Sequence, residues 1–332
     1  MPLGKNSRPL LELQDRDLAI FQGLFESRLM TLDHITRLYF DGRSEAAKKR
    51  IQGLKSARYL GERTRRVYEK SILHLRERAF AELSANGKIS EYPTFTWKQL
   101  QKRLQVSDST LRHELDVLNV KTSLSCAISA LTQFELLEFS TWPLIYQFEA
   151  AQPPRPGAYQ RAKVLIRPDG FVRLYEHTNG DDAHEHFLYL EVDRSTEPHE
   201  TLALRTYGYQ DYYRRGGLAV RYGASPEDYK DYPFRVLMVV PNDERRNNMA
   251  ERLLQNTPPI LSMVWLTTFA EVTTYPLGAI WMRPIDYREI TKGTSYDPSR
   301  LRTGAYRRQP EREALVAGEL TKLRLFQEEQ AP

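Results

Sequence analysis

The sequence predicts a chain of mixed α+β to α/β class, with three short helices and a hairpin at its N-terminus, a helical middle segment and a C-terminal α/β domain. Three observations predict it. Apolar residues between 15 and 56 recur at helical spacing in three separate runs. After residue 158, short β-rich runs alternate with helical ones, as in a sheet covered by helices. The chain has 332 residues, 41% of them hydrophobic, which is material for more than one core at roughly 100–200 residues per domain.

The elements follow in order. Asp15 to Ser27 reads as a helix, with Leu18, Ile20, Phe21, Leu24 and Phe25 as its apolar stripe and Asp15 and Asp17 at its positive end. Thr31 is a good cap for a second helix carrying Leu32, Ile35, Leu38 and Tyr39, which Asp41-Gly42 ends. Ser44 then caps a third helix, Glu45 to Ser56, with Ala47, Ile51 and Leu54 inward. Tyr59-Leu60-Gly61, the basic stretch Arg63 to Arg66 and Val67-Tyr68 read as strand, turn and strand. Helices are expected at Leu73–Leu83, Trp97–Leu104 and Ser109–Leu118, the last two resembling a second helix-turn-helix used for packing or dimerisation rather than as a second reading head, and Leu124–Phe139 continues as an apolar helix.

Gln152 to Gly157, rich in proline, reads as a linker or surface loop. Beyond it, strands are expected at Lys163–Arg167, Phe171–Tyr175, Phe187–Val192, Phe234–Val240 and Met263–Phe269, with a turn at Asn179–Asp182 and helices at Pro198–Arg214 and Asp243–Leu254. The expected division is 12–90, 91–150, 158–290 and a polar tail, 291–332, in which Glu311–Gln327 has helical potential.

Charge is unevenly placed. Residues 1–90 hold 18 Lys and Arg against 11 Asp and Glu, while the rest hold 30 against 32. A basic surplus gathered at one end is the footprint of a polyanion partner; solvation of helix faces is the alternative. Three short helices followed by a basic hairpin form the pattern of a winged helix-turn-helix. Its third helix suits a major groove about 12 Å wide. Lys48, Lys49, Arg50 and Lys55 on that helix, and Arg63, Arg65 and Arg66 in the wing, are the expected contacts to double-stranded DNA. A winged helix used for protein contacts is the competing interpretation, and a homodimer is left open. The single cysteine, Cys126, excludes an intramolecular disulfide and any zinc site of several thiolates. With no apolar run near the ~20 residues of a membrane span and no signal-peptide core, a cytoplasmic protein with no membrane partner is expected.

Pro168-Asp169-Gly170 and Glu191-Val192-Asp193-Arg194 stand at two strand ends about 20 residues apart. Two strand ends can bring Asp169 and Glu191 to one sheet edge, where carboxylates bind a hard cation such as Mg²⁺ that activates water against a phosphodiester. A turn aspartate and a surface ion-pair cluster are the plain alternatives. His177, His184 and His186 surround an acidic turn, and a solvated hairpin is favoured there over a metal site. A relaxase built on these histidines with Tyr209 or Tyr213 is disfavoured, because Glu185 stands between His184 and His186 where such enzymes carry a bulky apolar residue. Tyr207, Tyr209, Tyr212 and Tyr213 read as helix packing or a stacking surface.

Pro168-Asp169 followed by Glu191-x-Asp193 resembles the first two elements of the PD-(D/E)xK nuclease superfamily. That resemblance implies a nuclease-like core in which Asp169 and Glu191 hold Mg²⁺ and Asp193 is an extra ligand. Asp193 occupies the place of the expected lysine, so Arg205 is the implied basic group, able to stabilise charge but held too firmly protonated to act as a base. More widely, the chain resembles the replication-relaxation family of plasmids and integrative elements. The resemblance rests on the winged helix, a middle segment with His113 and Trp142, the Pro168-Asp169-Gly170 turn, the string Glu191 to Glu197, Leu204-Arg205-x-Tyr207 and the strand Phe234–Leu237, over most of residues 12–270. It implies a DNA-binding protein acting in plasmid replication or relaxation, with a nuclease-like domain that is either a Mg²⁺-dependent endonuclease or nickase, or a scaffold without activity. A non-catalytic regulator of transcription or replication and a protein-interaction module are the alternative functions.

Overall fold

A computed structural model describes residues 11–64, 69–141, 144, 146–153, 162–177, 183–292 and 310–326. The chain is mixed α and β with a mixed sheet, and it divides into two compact units, Met1–Thr122 and Ser123–Pro332. Among the described residues no helix is long and apolar enough to cross a membrane.

The first unit opens with α1 (Asp15–Ser27), whose bounds are those its periodicity predicts. Asp17 accepts from the Gln14 backbone N–H at 2.8 Å, satisfying one of the donors a helix leaves open at its start. Ile20, Phe21, Leu24 and Phe25 are buried. A short strand β1 (Met30–Thr31) leads into α2 (Leu32–Tyr39). Thr31 caps α2 by accepting from the His34 N–H at 3.2 Å, and His34 Nδ1 in return accepts from the Thr31 N–H at 3.3 Å. That fixes the proton on Nε2, which donates to Asn119 Oδ1 at 2.8 Å. Asp41 and Gly42, both at positive φ, turn the chain into α3 (Ser44–Ser56). The cap of α3 is Arg43 rather than Ser44, and no side chain closes it. Ala47, Ile51 and Leu54 form the buried face of α3.

Strands β2 (Leu60–Glu62) and β3 (Ile72–Leu75) form an antiparallel hairpin, with β1 on the far side of β3. Helix α4 (Glu77–Ala85), α5 (Trp97–Arg103) and α6 (Asp108–Ile128) follow, and the boundary between units falls inside α6. Two expectations are corrected. Leu73 to Leu83 is not one helix: Leu73 pairs with Met30 and Glu62, and Leu75 with Leu60, so the residues before Arg76 are strand. The strand expected at Val67-Tyr68 lies outside the described residues. Leu124 to Phe139 is likewise not one helix; α6 ends at Ile128 and the chain re-enters as a strand.

In the second unit that strand is β4 (Phe134–Thr141), followed by β5 (Phe148–Ala151), β6 (Lys163–Ile166), β7 (Gly170–His177) and β8 (Ala183–Val192). Helix α7 (His199–Arg214), the short α8 (Gly217–Arg221), β9 (Phe234–Val240), α9 (Asp243–Leu254), β10 (Val264–Thr268), α10 (Phe269–Thr274), α11 (Pro284–Thr291) and α12 (Pro310–Glu319) complete it. The five-stranded sheet runs β10-β9-β8-β7-β4, and β5 pairs with β6 apart from it. Strands β8, β9 and β10 are parallel; β7 and β4 are antiparallel additions. Alternation sends Phe187 and Tyr189 of β8 and Val236, Met238 and Val240 of β9 to one face. There they pack with Leu202, Ala203, Tyr209 and Tyr212 of α7 and Met249, Ala250 and Leu253 of α9. At Gly170, where β7 begins, a Cβ would lie 3.1 Å from the Leu190 Cβ of the adjacent strand, tighter than ordinary van der Waals contact.

The buried His34 supplies a test. Burial holds its imidazole below the usual range, with the Asn119 contact only partly opposing. The unfolded chain therefore binds the proton first as pH falls below about 6.5, and stability drops with acidification over that window. Denaturant unfolding between pH 7.5 and 5 is expected to show this decline in the wild-type chain and a shallower one in His34→Gln.

Candidate functional site

The pairing of Gly170 with Leu190 sets the start of β7 beside the end of β8. Asp169 donates its N–H to the Leu190 carbonyl at 3.0 Å, and its Oδ2 accepts from the Val192 N–H at 2.8 Å. Beyond β8, the Asp193 N–H donates to the Val239 carbonyl of the neighbouring parallel strand at 2.9 Å. Asp169, Glu191 and Asp193 thus gather at one end of the sheet, Glu191 2% and Asp193 4% exposed.

Glu191 shares the face of Phe187 and Tyr189, under α7. Arg205 and Tyr209, one helical turn apart, both meet it. Arg205 Nη1 donates to Glu191 Oε2 at 2.9 Å, and Tyr209 Oη donates to Oε1 at 2.5 Å. Arg205 Nη2 also reaches both oxygens of Glu197, at 3.0 and 3.1 Å. Asp193 is held separately: Oδ1 accepts from the Ser195 N–H at 2.8 Å and Oδ2 from Arg245 Nε at 2.6 Å. Arg245 Nη2 continues to the Glu197 carbonyl at 2.6 Å.

The electrostatics follow from burial. Desolvation pushes Glu191 up to about 7; Arg205 pulls it back, and Asp169 adds to the upward push. Glu191 in turn raises Arg205, so the guanidinium stays charged. Burial and Glu191 hold the Tyr209 hydroxyl protonated, which suits its role as donor. Near Arg245, burial first and that guanidinium second bring His199 down to about 4.

Mg²⁺ needs carboxylate oxygens turned toward a common point. Here both oxygens of Glu191 face Arg205 and Tyr209, both oxygens of Asp193 are engaged by Ser195 and Arg245, and Asp169 accepts from β8. Among the described residues no group of three His, Cys, Asp or Glu side chains is arranged to hold a metal ion. The donor set does not fit the cation: arginines supply the positive charge that the expected Asp169, Glu191 and Asp193 ligation assigned to it. The fold brings Asp169, Glu191 and Arg205 together, while Asp193 turns to Arg245. Tyr209, Glu197 and Arg245 complete the site; Tyr209, four residues after Arg205, and Glu197, in the Glu191–Glu197 string, carry a readable signal in the sequence, and Arg245 carries none.

The other candidates separate. His186 Nε2 lies 2.7 Å from Glu176 Oε2, and burial lowers its imidazole, while His177 faces Glu135 at 3.7 Å. His184 pairs in register with Glu176, and the Asn179–Asp182 turn lies outside the described residues. Tyr207, Tyr209 and Tyr212 are buried, so this cluster packs the core rather than forming a surface for stacking.

In the first unit the seven predicted cations do not act alike. Lys48 and Lys49 are exposed, with Lys48 Nζ 2.6 Å from Glu45 Oε1. Arg50 turns instead to Asp17, which is fully buried, and donates to the Glu12 carbonyl at 2.7 Å. Lys55 pairs with Glu62. Arg63 donates to the Val106 carbonyl and to Asp108 Oδ1, each at 2.9 Å. Arg50, Lys55 and Arg63 thus each meet a carboxylate of the first unit, Asp17, Glu62 and Asp108 in turn, as Lys48 meets Glu45. Arg65 and Arg66, like Trp142 and most of the Gln152–Gly157 loop, lie outside the described residues.

A family model described as replication-relaxation matches residues 21–227, more than half of the chain. No curated protein and no solved structure matches it.

Removing one partner of a buried pair strands the other charge, typically at ~3–5 kcal/mol, whereas removing both can be near neutral. Arg205→Ala is therefore expected to lower unfolding free energy, by up to about that amount at alkaline pH and by less near neutrality, where Glu191, already pushed up to about 7, takes a proton instead. Glu191→Gln is expected to cost less, since Arg205 keeps Glu197. The double variant should regain most of the Arg205→Ala loss, as read by denaturant titration of the four proteins.

Proposed function

Because the chain belongs to the replication-relaxation family, we propose that it serves the replication of a plasmid or other mobile element by binding double-stranded DNA through a winged helix in its first unit. The α/β domain, by this proposal, is a nuclease-like scaffold that does not cleave. The observation that carries the DNA-binding reading is the exposed face of α3. Glu45, Lys49, Gln52 and Ser56 are all exposed and lie opposite the buried Ala47, Ile51 and Leu54, with the exposed Lys48 to one side. An α-helix with such a polar, cation-bearing face is the element that enters a major groove. The arrangement of α1, α2, α3 and the antiparallel pair β2–β3 supports the winged-helix interpretation.

The scaffold interpretation rests on the chemistry of the carboxylates. Glu191 and Asp193 are each neutralised within the protein by an arginine. A nuclease of this type needs those oxygens for a cation that activates water. The second reading, a Mg²⁺-dependent endonuclease or nickase, is favoured by Asp169 and Glu191 meeting at one sheet end. It would use Arg205 to stabilise charge.

Both readings meet in two measurements. Duplex binding is expected to weaken steeply with salt, since each neutralised phosphate releases counterions. Replacing Lys48 and Lys49 together by Ala is expected to lower affinity and flatten the salt dependence by about one to two contacts; unchanged binding would remove α3 from the interface. Supercoiled plasmid incubated with Mg²⁺ or Mn²⁺ is expected to stay intact, whereas nicking abolished by Asp169→Ala would establish the enzyme instead.

A further inference from the structure

The face of α3 contains a residue that phosphate binding does not explain. Glu45 has its side chain 85% exposed, on the side of the helix turned away from the core. A carboxylate there is repelled by a phosphate backbone. Its place in the first turn favours the helix dipole, and it pairs with Lys48, but an exposed pair of this kind contributes little.

Helical geometry separates this face into a centre and a flank. At about 100° per residue, Glu45, Lys49, Gln52 and Ser56 fall on one line almost opposite Ala47, Ile51 and Leu54. Lys48 stands to one side of that line, toward Lys55, which is held by Glu62. When such a helix lies in a groove, its central line meets the floor and its flanks meet the walls. The floor presents base edges and the walls present phosphates.

We propose that Glu45, Lys49 and Gln52 read base edges in the major groove, and that Lys48 positions the helix on phosphate. This rests on the reading of the first unit as a duplex-binding module. The side-chain chemistry assigns the bases. Glu45 only accepts, which matches the cytosine N4 amine. Lys49 only donates, which matches guanine O6 and N7. Gln52 does both, which matches adenine N6 and N7. From Glu45 to Gln52 the helix rises ~10 Å, the length of about three base steps. The three residues thus span one short run of adjacent base pairs. Glu45 weakens general attraction to DNA while adding discrimination, and that combination accounts for an acid on this face.

The test is selection of binding sites from a randomised duplex library by the full chain and by three single variants. All three positions are exposed, and unchanged thermal unfolding of each variant verifies folding. The wild-type protein is expected to enrich a short motif holding cytosine, guanine and adenine. Glu45→Gln should lose the cytosine preference on the order of tenfold, and Gln52→Ala the adenine preference, each with the salt dependence unchanged. Lys48→Ala should keep the motif and lower the salt slope by about one. Two results overturn the assignment while leaving duplex binding intact: Glu45→Gln and Gln52→Ala both enriching the wild-type motif, or a wild-type chain that binds with steep salt dependence and enriches none. A wild-type chain without salt-dependent duplex binding overturns the underlying reading, and this assignment with it.

Discussion

Glu191 is a carboxylate enclosed between a sheet and a helix, and the second unit is arranged around keeping it satisfied. Withdrawing a carboxylate from water costs several kcal/mol even after relaxation. That cost is offset by donors placed with little freedom: Arg205 and Tyr209 one turn apart on α7, with Glu197 holding the other side of the guanidinium. The register of β7 against β8 brings Asp169 to the same sheet end, and the parallel pairing of β8 with β9 positions Asp193 beside Arg245. The helix-to-sheet packing and the polar cluster are thus one construction. The apolar residues of α7 set its height on the sheet, and that height determines which of its polar residues reach the strand end.

The first unit follows the same rule on a smaller scale. Asp17 is fully buried and accepts from both the Gln14 backbone and Arg50. Arg50 therefore serves the junction of α1 with α3. His34 couples the cap of α2 to Asn119 of α6 in similar fashion. Buried polar groups of this kind must be paired, so they take up charged residues that would otherwise be available to a partner. What remains on α3 is a narrower face than a count of basic residues suggests, and a more varied one, with an acid, an amide and a hydroxyl among the cations.

Much of the fold was legible beforehand. The bounds of α1, β9 and α9 match the expected segments, because apolar spacing, caps and turn residues act within a few residues of chain. The misread segments share one cause. Leu73–Leu75 and Phe134–Thr141 carry apolar residues at spacings that suit a helix about as well as a strand. Their partners, Met30 and Leu60 in one case and Gly170 to Glu176 in the other, are distant in sequence. At the carboxylate edge the meeting of Asp169 with Glu191 was readable from two strand ends; the engagement of Asp193 by Arg245, 52 residues later, had no local signature.

The sequence by itself determined the mixed α and β class, the surplus of positive charge in the first 90 residues and the polar character of one α3 face. These are properties of composition and short-range periodicity. Only the tertiary structure decided which charges meet. Ion pairing depends on where a carboxylate loses its water, and that is set by long-range packing; hence Arg50, Arg205 and Arg245 turn to buried acids while Lys48 and Lys49 stay at the surface.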